Sequence, residues 1–185
     1  MIETEQFSFV GGEGIEDESD EWYTPAWVFR ALGIEFDLDP CSPGAPPSSV
    51  PAKRHITKEE DGMQQPWNGA VWVNPPFSDK RRWYERLCIH GNGIALMPAR
   101  TETHDLQAYM NESSALLFLK GRIYFERGSR PAANGVGGQT STPPFGVVLC
   151  AYGDLMADVL LDSSLLGVRA IVCFAQQNSG DDNGR

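Results

Sequence analysis

The sequence predicts an α/β fold, and three observations carry that expectation. The runs "AVWVN", "IALMP", "ALLFLK", "FGVVLCAY" and "VRAIVCF" are short and continuously apolar, as strands covered on both faces of a parallel sheet are. Helical stretches lie between them, so strand and helix alternate along the chain. The length, 185 residues with 41% hydrophobic content, suits one domain with a real core and hardly two. No internal repeat is visible.

Element by element, residues 1–20 read as a flexible arm, low in aliphatics and rich in Gly and acid. The main domain is expected over 21–175 and a polar flexible tail over 176–185. In "YTPAWVFRALG" a helix begins, with Thr24 able to cap it, Pro25 suited to its first turn and Gly33 to its end. Val28, Ala31 and Leu32 share a face, with Trp27 alongside. "IEFDLDP" is a short strand stopped by Pro40, and "CSPGAPPSSVPAK" is a loop by its Pro, Ser and Gly content. "RHIT" forms a brief strand before the polar connector "KEEDGMQQPWNG". The strand "AVWVN" follows, then the helix "DKRRWYERLCIHG", capped by Ser78 or Asp79 and ended near Gly91. "IALMP" is a strand, "ETHDLQAYM" a helix, "ALLFLK" and "GRIYF" strands, and "ERGSRPAANGVGGQTSTPP" a loop. "FGVVLCAY", the helical "DLMADVLLDSSLLG" and the strand "VRAIVCF" complete the order.

Bulk properties exclude several classes. No apolar run is long enough to cross a bilayer. The first residues lack a basic region followed by an apolar stretch, so no secretory signal is expected and the cytoplasm is the expected compartment. Cys41, Cys88, Cys150 and Cys173 include no C-x-x-C pair, which speaks for reduced and mostly buried thiols rather than zinc or disulfides. The three histidines, His55, His90 and His104, do not cluster, and no metal is expected. G-x-G-x-x-G, the P-loop and G-x-S-x-G are all absent. The net charge of −10 opposes long-range attraction to nucleic acid. The acid is unevenly placed, however: Glu13, Glu16, Asp17, Glu18, Asp20 and Glu21 crowd the N-terminal arm and Asp181 and Asp182 the tail, whereas Lys80, Arg81, Arg82 and Arg86 form one basic cluster.

That cluster directly follows "VWVNPPFSD", where a buried strand ends in a rigid polar tip. Proline has no N–H and a fixed φ, so Pro75 and Pro76 stop the ladder and stiffen the exit. In open α/β sheets ligands sit at the carboxyl ends of strands, near a topological switch. Here Asn74 offers an amide oxygen and Pro75 a rigidly held carbonyl, two acceptors that match the two hydrogens of an exocyclic amine. Phe77 offers a face for a planar base taken out of its stack. Lys80, Arg81 and Arg82 would then hold phosphates. The same four residues would also serve as a plain turn, with Asn74 capping the backbone and Phe77 packed inward. Asp39 ends the other such strand. It suits ribose hydroxyls or an amine of a nucleoside cofactor, and equally a turn before Pro40.

With these residues in hand, the sequence resembles the phage-type, Dam-like DNA N6-adenine methyltransferases, a small family found in phages and prophages. The likeness runs from about residue 22 to about 152 and rests on "YTPAWVFRALGIEFDLDPC", "ITKEEDGMQQPW", "VWVNPPFSD", "ALMPARTET" and "GRIYF". It implies a Rossmann-like seven-stranded sheet, mostly parallel, with "GRIYF" and "FGVVLCAY" as an antiparallel edge hairpin. It also implies S-adenosylmethionine as methyl donor and adenine in DNA as acceptor. Asn74, Pro75, Pro76 and Phe77 match the amine-binding motif [DNS]-P-P-[YFW]. Asp39, Pro40 and Cys41 stand at the cofactor motif after the first strand. Tyr23, Thr24 and Pro25 resemble the segment that helps hold the methionine end, Asp61 is a further cofactor contact, and Arg100 lies near where substrate enters. The F-x-G-x-G loop of methyltransferases is absent. Protection against restriction is the role the resemblance suggests. Methylation of an amine in RNA or on a protein glutamine, and a non-catalytic binder that keeps the fold, are the alternatives.

Overall fold

A computed structural model describes residues 23–44, 48–76, 79–126, 140–141 and 144–173. The expected acidic arm and C-terminal tail lie outside the described residues, as do Phe77, Ser78 and the loop 127–139.

Helix α1 (Ala26–Leu32) starts after an extended Pro25, which is its N-cap. Pro25 thus stands just before the helix rather than in its first turn, and the Thr24 hydroxyl does not cap it. That hydroxyl is engaged by Asn74 instead. The end is as expected: Gly33 takes φ 69°, which costs glycine nothing, and its N–H reaches Phe29 O at 3.0 Å. Val28, Phe29 and Leu32 are buried, and Trp27 is left exposed.

The remaining elements are β1 (Phe36–Asp39), β2 (Ala52–His55), β3 (Val71–Val73), α2 (Lys80–His90), β4 (Gly93–Pro98), α3 (His104–Glu112), β5 (Ala115–Leu119), β6 (Phe125–Glu126), β7 (Thr140–Ser141), β8 (Val147–Tyr152), α4 (Asp154–Asp162) and β9 (Gly167–Ile171). Asp79 precedes α2 but does not cap it with its side chain, which pairs with Arg82. Thr103 does cap α3, accepting from Leu106 N–H.

Seven strands form one sheet in the order β2-β1-β3-β4-β8-β5-β9. Strands β2, β1, β3, β4 and β5 run one way; β8 and β9 run the other. The fold is mixed α/β with a mostly parallel seven-stranded sheet, but the reversed pair is not the edge hairpin that was expected. Strand β8 lies inside the sheet between β4 and β5, and β9 takes the edge. From "GRIYF" only Phe125 is strand, and with the following Glu126 it pairs with β7 outside the main sheet. Burial explains the placement. All six residues of β8 are buried, which demands neighbours on both sides, whereas β9 is half-exposed and tolerates an edge.

The sheet has two apolar faces. On β4, Ile94 and Leu96 join a cluster with α1 and α4, while Ala95 and Met97 join one with α2 and α3. Strand β8 alternates likewise, Leu149 and Ala151 against Val148 and Cys150. Among the described residues no helix is long and apolar enough to cross a membrane. The four cysteines are free, with Cys150 buried, Cys41 and Cys88 half-buried and Cys173 exposed, so burial is less general than expected.

Trp72 anchors the first face. It is 1% exposed, with Phe29 at 4.8 Å and Phe36 at 5.6 Å between ring centroids. Trp72→Ala removes this buried aromatic and leaves a cavity, so urea denaturation should show a loss of about 3–5 kcal/mol.

Candidate functional site

The chain leaves β1 for β2 on one side and then returns to β3 on the other, so the strand order switches between β1 and β3. Their carboxyl-terminal tips, Asp39-Pro40-Cys41 and Asn74-Pro75-Pro76, flank the switch. This is where an open α/β sheet leaves a crevice.

Asn74 is half-buried, and its Nδ2 donates to Thr24 Oγ1 at 3.1 Å. One Nδ2 hydrogen is engaged in this way, which sets the amide's orientation and leaves Oδ1, a buried atom, as its acceptor. Thr24 is itself fixed, since the Ser49 hydroxyl donates to its carbonyl and the residue is 2% exposed. Pro75 is buried beside Asn74, and Pro76 accepts through its carbonyl from Asp79 N–H at 3.2 Å just before α2 begins. Tyr23 is half-buried and Pro25 buried alongside Thr24.

Across the switch, Asp39 is 2% exposed. Its Oδ1 accepts from Cys41 N–H at 3.3 Å, and its Oδ2 from the Ser48 hydroxyl at 3.4 Å, with His55 Nδ1 also 3.4 Å away. Three donors therefore meet one carboxylate, and all three are long. Burial, and then the Asp39 charge, push the Cys41 thiol well above its ordinary range, while a hydrogen bond from the Asn74 backbone works the other way. Cys41 is therefore held as a neutral thiol. The hydrogen bond to Asp39 raises the His55 pKa against the opposing effect of burial.

Asp61 has φ 51°, the left-handed region that Asp tolerates, and its Oδ1 accepts from Met63 N–H at 3.1 Å. It makes the turn that lays Gly62 on Pro40. A Cβ at Gly62 would stand 1.9 Å from Pro40 O and 3.2 Å from Trp83. The same turn is strapped from outside. Trp67 Nε1 donates to Gly62 O at 2.9 Å, and Arg86 donates to the carbonyls of Gly62, Met63 and Gln65 while lying 4.6 Å over the Trp67 ring. Arg86 therefore leaves the basic cluster and supports the Asp39 tip.

The other cations stay at the surface. Arg81 Nε pairs with Glu85 at 2.8 Å, and Arg82 Nε with Asp79 at 2.6 Å. Lys80 and Arg81 line one wall of an open cleft of about 380 Å³ beyond the Asn74 tip. Met97, Tyr84 and Tyr109 line it too, as does Arg100, whose guanidinium lies 5.5 Å over Phe145. Among the described residues no group of His, Cys, Asp and Glu could hold a metal ion.

The structure thus brings together Tyr23, Thr24, Pro25, Asp39, Pro40, Cys41, Asn74 and Pro75. Asp61 stands one turn behind them, and Lys80, Arg81 and Arg100 line the neighbouring cleft. The expected stacking partner Phe77 lies outside the described residues. Sequence reasoning missed Ser48 and His55. The polar ending of "RHIT" beside the Asp39 strand was the available signal for His55, and Ser48 had none in its Pro/Ser loop.

Two outcomes check this architecture. Gly62→Ala should lose about 1–3 kcal/mol in urea denaturation, since Pro40 must move to admit a methyl group. Thr24→Val should cost about 1–3 kcal/mol by leaving the Asn74 donor without its acceptor, and it should release the amide, seen as altered Asn74 side-chain resonances by NMR.

Comparison with known proteins adds one finding. Residues 12–158 match the family described as DNA N-6-adenine-methyltransferase (Dam). No curated protein and no solved structure matches the chain. With the match covering most of its length, the chain belongs to the DNA N-6-adenine-methyltransferase (Dam) family, a family of methyltransferases.

Proposed function

We propose that this chain transfers a methyl group from S-adenosylmethionine to the N6 amine of an adenine in DNA, the base being taken out of its stack. The observation that carries the reading is the Thr24–Asn74 hydrogen bond, which commits Nδ2 and leaves Oδ1 as a fixed acceptor beside the rigid Pro75 backbone. An exocyclic amine with two hydrogens is the partner this pair suits. Accepting both hydrogens enriches the nitrogen lone pair, and the buried setting makes these dipoles act at low dielectric. Asn suffices here because a carbonyl dipole stabilises charge developing on nitrogen without a carboxylate.

The residues at the switch fit S-adenosylmethionine. Asp39 is a buried carboxylate whose present donors are long and replaceable, which suits ribose hydroxyls or an amine. Tyr23, Thr24 and Pro25 would border the methionine end, with Pro40, Cys41 and Asp61 around the nucleoside. When bound, the cofactor would supply an electrophilic methyl group on a sulfonium; as the amine nitrogen takes it, the sulfur would leave as a neutral thioether and the nitrogen would release one proton. The protein's own part is positioning and electrostatics. Phe77 would stack on the base, and the cleft lined by Tyr84, Tyr109 and Arg100 would receive the displaced nucleotide.

Lys80, Arg81, Arg82 and Arg100 would meet phosphates. The Arg81–Glu85 and Arg82–Asp79 pairs are exposed, so they add little stability and exchange readily for a stronger anion. Phosphate contacts of this kind make binding steeply salt-dependent.

The test is methyl transfer from labelled S-adenosylmethionine to unmethylated plasmid DNA, with mass spectrometry of the nucleosides. N6-methyladenine is expected. Asn74→Ala should keep cofactor binding within about threefold and lose roughly 100-fold or more in turnover, as removal of a charge-stabilising group does. Unchanged transfer by that variant would sink the assignment. Label in RNA or protein instead would move the substrate, and no cofactor binding would favour a non-catalytic binder.

A further inference from the structure

His55 belongs to none of the motifs that brought the other site residues to attention, yet it closes the Asp39 side of the crevice. Parallel register sets Asp39 directly beside His55, so both side chains leave the carboxyl ends of neighbouring strands together. The ring stands with Nδ1 3.4 Å from Oδ2, and its side chain is 34% exposed where that of Asp39 is 3% exposed. The carboxylate is therefore hidden behind groups that include the ring, and a ligand must share it with them. We propose that His55 is a positioning residue of the cofactor site, its ring proton deciding how much of Asp39 is left for the hydroxyls or amine of a bound nucleoside. The inference rests on the reading that Asp39 faces the cofactor.

The chemistry is competition for lone pairs. A carboxylate accepts about four hydrogen bonds, and Cys41 N–H, the Ser48 hydroxyl and His55 already take three of these places. All three contacts lie at the long end of the hydrogen-bond range, so the carboxylate can turn to a better donor. A protonated ring opposes that move, because leaving it would separate an ion pair around a carboxylate with almost no access to water. A neutral ring opposes it far less. The nucleoside therefore binds the neutral-ring form more tightly, and by reciprocity its binding lowers the affinity of the ring for its proton.

Of the other charged groups near His55 in the chain, Lys58 and Glu59 are exposed and most of the rest have partners of their own. On β2, Lys53 pairs with Asp37 and Arg54 donates to Gln65. Past β2, Glu60 accepts from Thr57 N–H and Asp61 from Met63 N–H. The Cys41 thiol, which feels the Asp39 charge, is kept neutral by burial. Asp39 is the charged side chain on β1 that the ring reaches. Its hydrogen bond raises the pKa of the ring above the ordinary 6.5, which moves the transition upward from mildly acid pH toward neutrality.

The experiment is calorimetric binding of S-adenosylmethionine and of methylthioadenosine, which keeps the ribose and the adenine but lacks the α-amino group of the methionine part, between pH 5.5 and 8.5. Wild-type protein should bind both more tightly as pH rises, by roughly threefold to tenfold, the span of coupling through one proton. His55→Gln should flatten the dependence for methylthioadenosine. For S-adenosylmethionine it should leave only the part due to the ligand's own amine. A dependence seen with both ligands assigns Asp39 to the nucleoside part; one confined to S-adenosylmethionine, and reduced in His55→Gln to the part due to the ligand's own amine, assigns it to the α-amino group. The second readout needs no variant: in an NMR titration, saturating methylthioadenosine or S-adenosylmethionine should lower the ring pKa of His55. An unmoved ring pKa, or equal slopes in wild type and His55→Gln, would overturn the role of His55 while leaving the cofactor reading intact. Absence of binding by either protein at every pH would overturn the cofactor reading itself.

Discussion

The parallel pairing of β1 with β3 is the constraint on which the rest of the structure depends. Leu38 lies opposite Val71, which brings the exits of two strands side by side and leaves β2 and β4 to extend the sheet in opposite directions. Each exit carries a proline directly after its polar residue, so neither strand can continue and both tips are rigid. A crevice with polar walls follows from these two facts alone. Everything else at the site is a means of holding the tips in place.

Those means are mostly buried hydrogen bonds rather than surface charges. Thr24 holds the Asn74 amide, the Cys41 N–H holds the Asp39 carboxylate, and Ser48 and His55 close on Asp39. Behind them Gly62 lies flat on Pro40, and Arg86 and Trp67 bind the turn that carries it. Buried polar groups cost stability unless paired, so such a network specifies one arrangement of the tips. Precision of that kind is what a methyltransferase needs, since its chain contributes alignment and dipoles more than covalent chemistry.

Charge takes a lesser part. A net charge of −10 argues against a general affinity for nucleic acid, and the cations beside the Asn74 tip are a local exception to it. Arg81 and Arg82 lie on the first turn of the helix that follows the Asn74 tip, each against an acidic neighbour in water, where the pair holds little energy. Arg100 comes to the same cleft from the far end of β4. Of four cations grouped in the sequence, Arg86 serves the fold instead, because its stem and guanidinium cover Trp67 and three backbone carbonyls.

The amino-acid sequence by itself determined the kind and order of the elements around the site and the chemistry of the two strand tips. Apolar runs, proline stops and the Gly33 and Gly91 helix ends are local matters, governed by φ, sterics and periodicity. The ordered motifs were also enough to reveal the family. Only the tertiary structure decided which residues meet. Thr24 reaches Asn74 across 50 positions and His55 reaches Asp39 across 16, through sheet register and loop packing that no local rule encodes. It also decided that β8 lies inside the sheet rather than at its edge, because a strand buried at every residue needs a neighbour on each side. Local chemistry names the groups; packing decides which of them can touch.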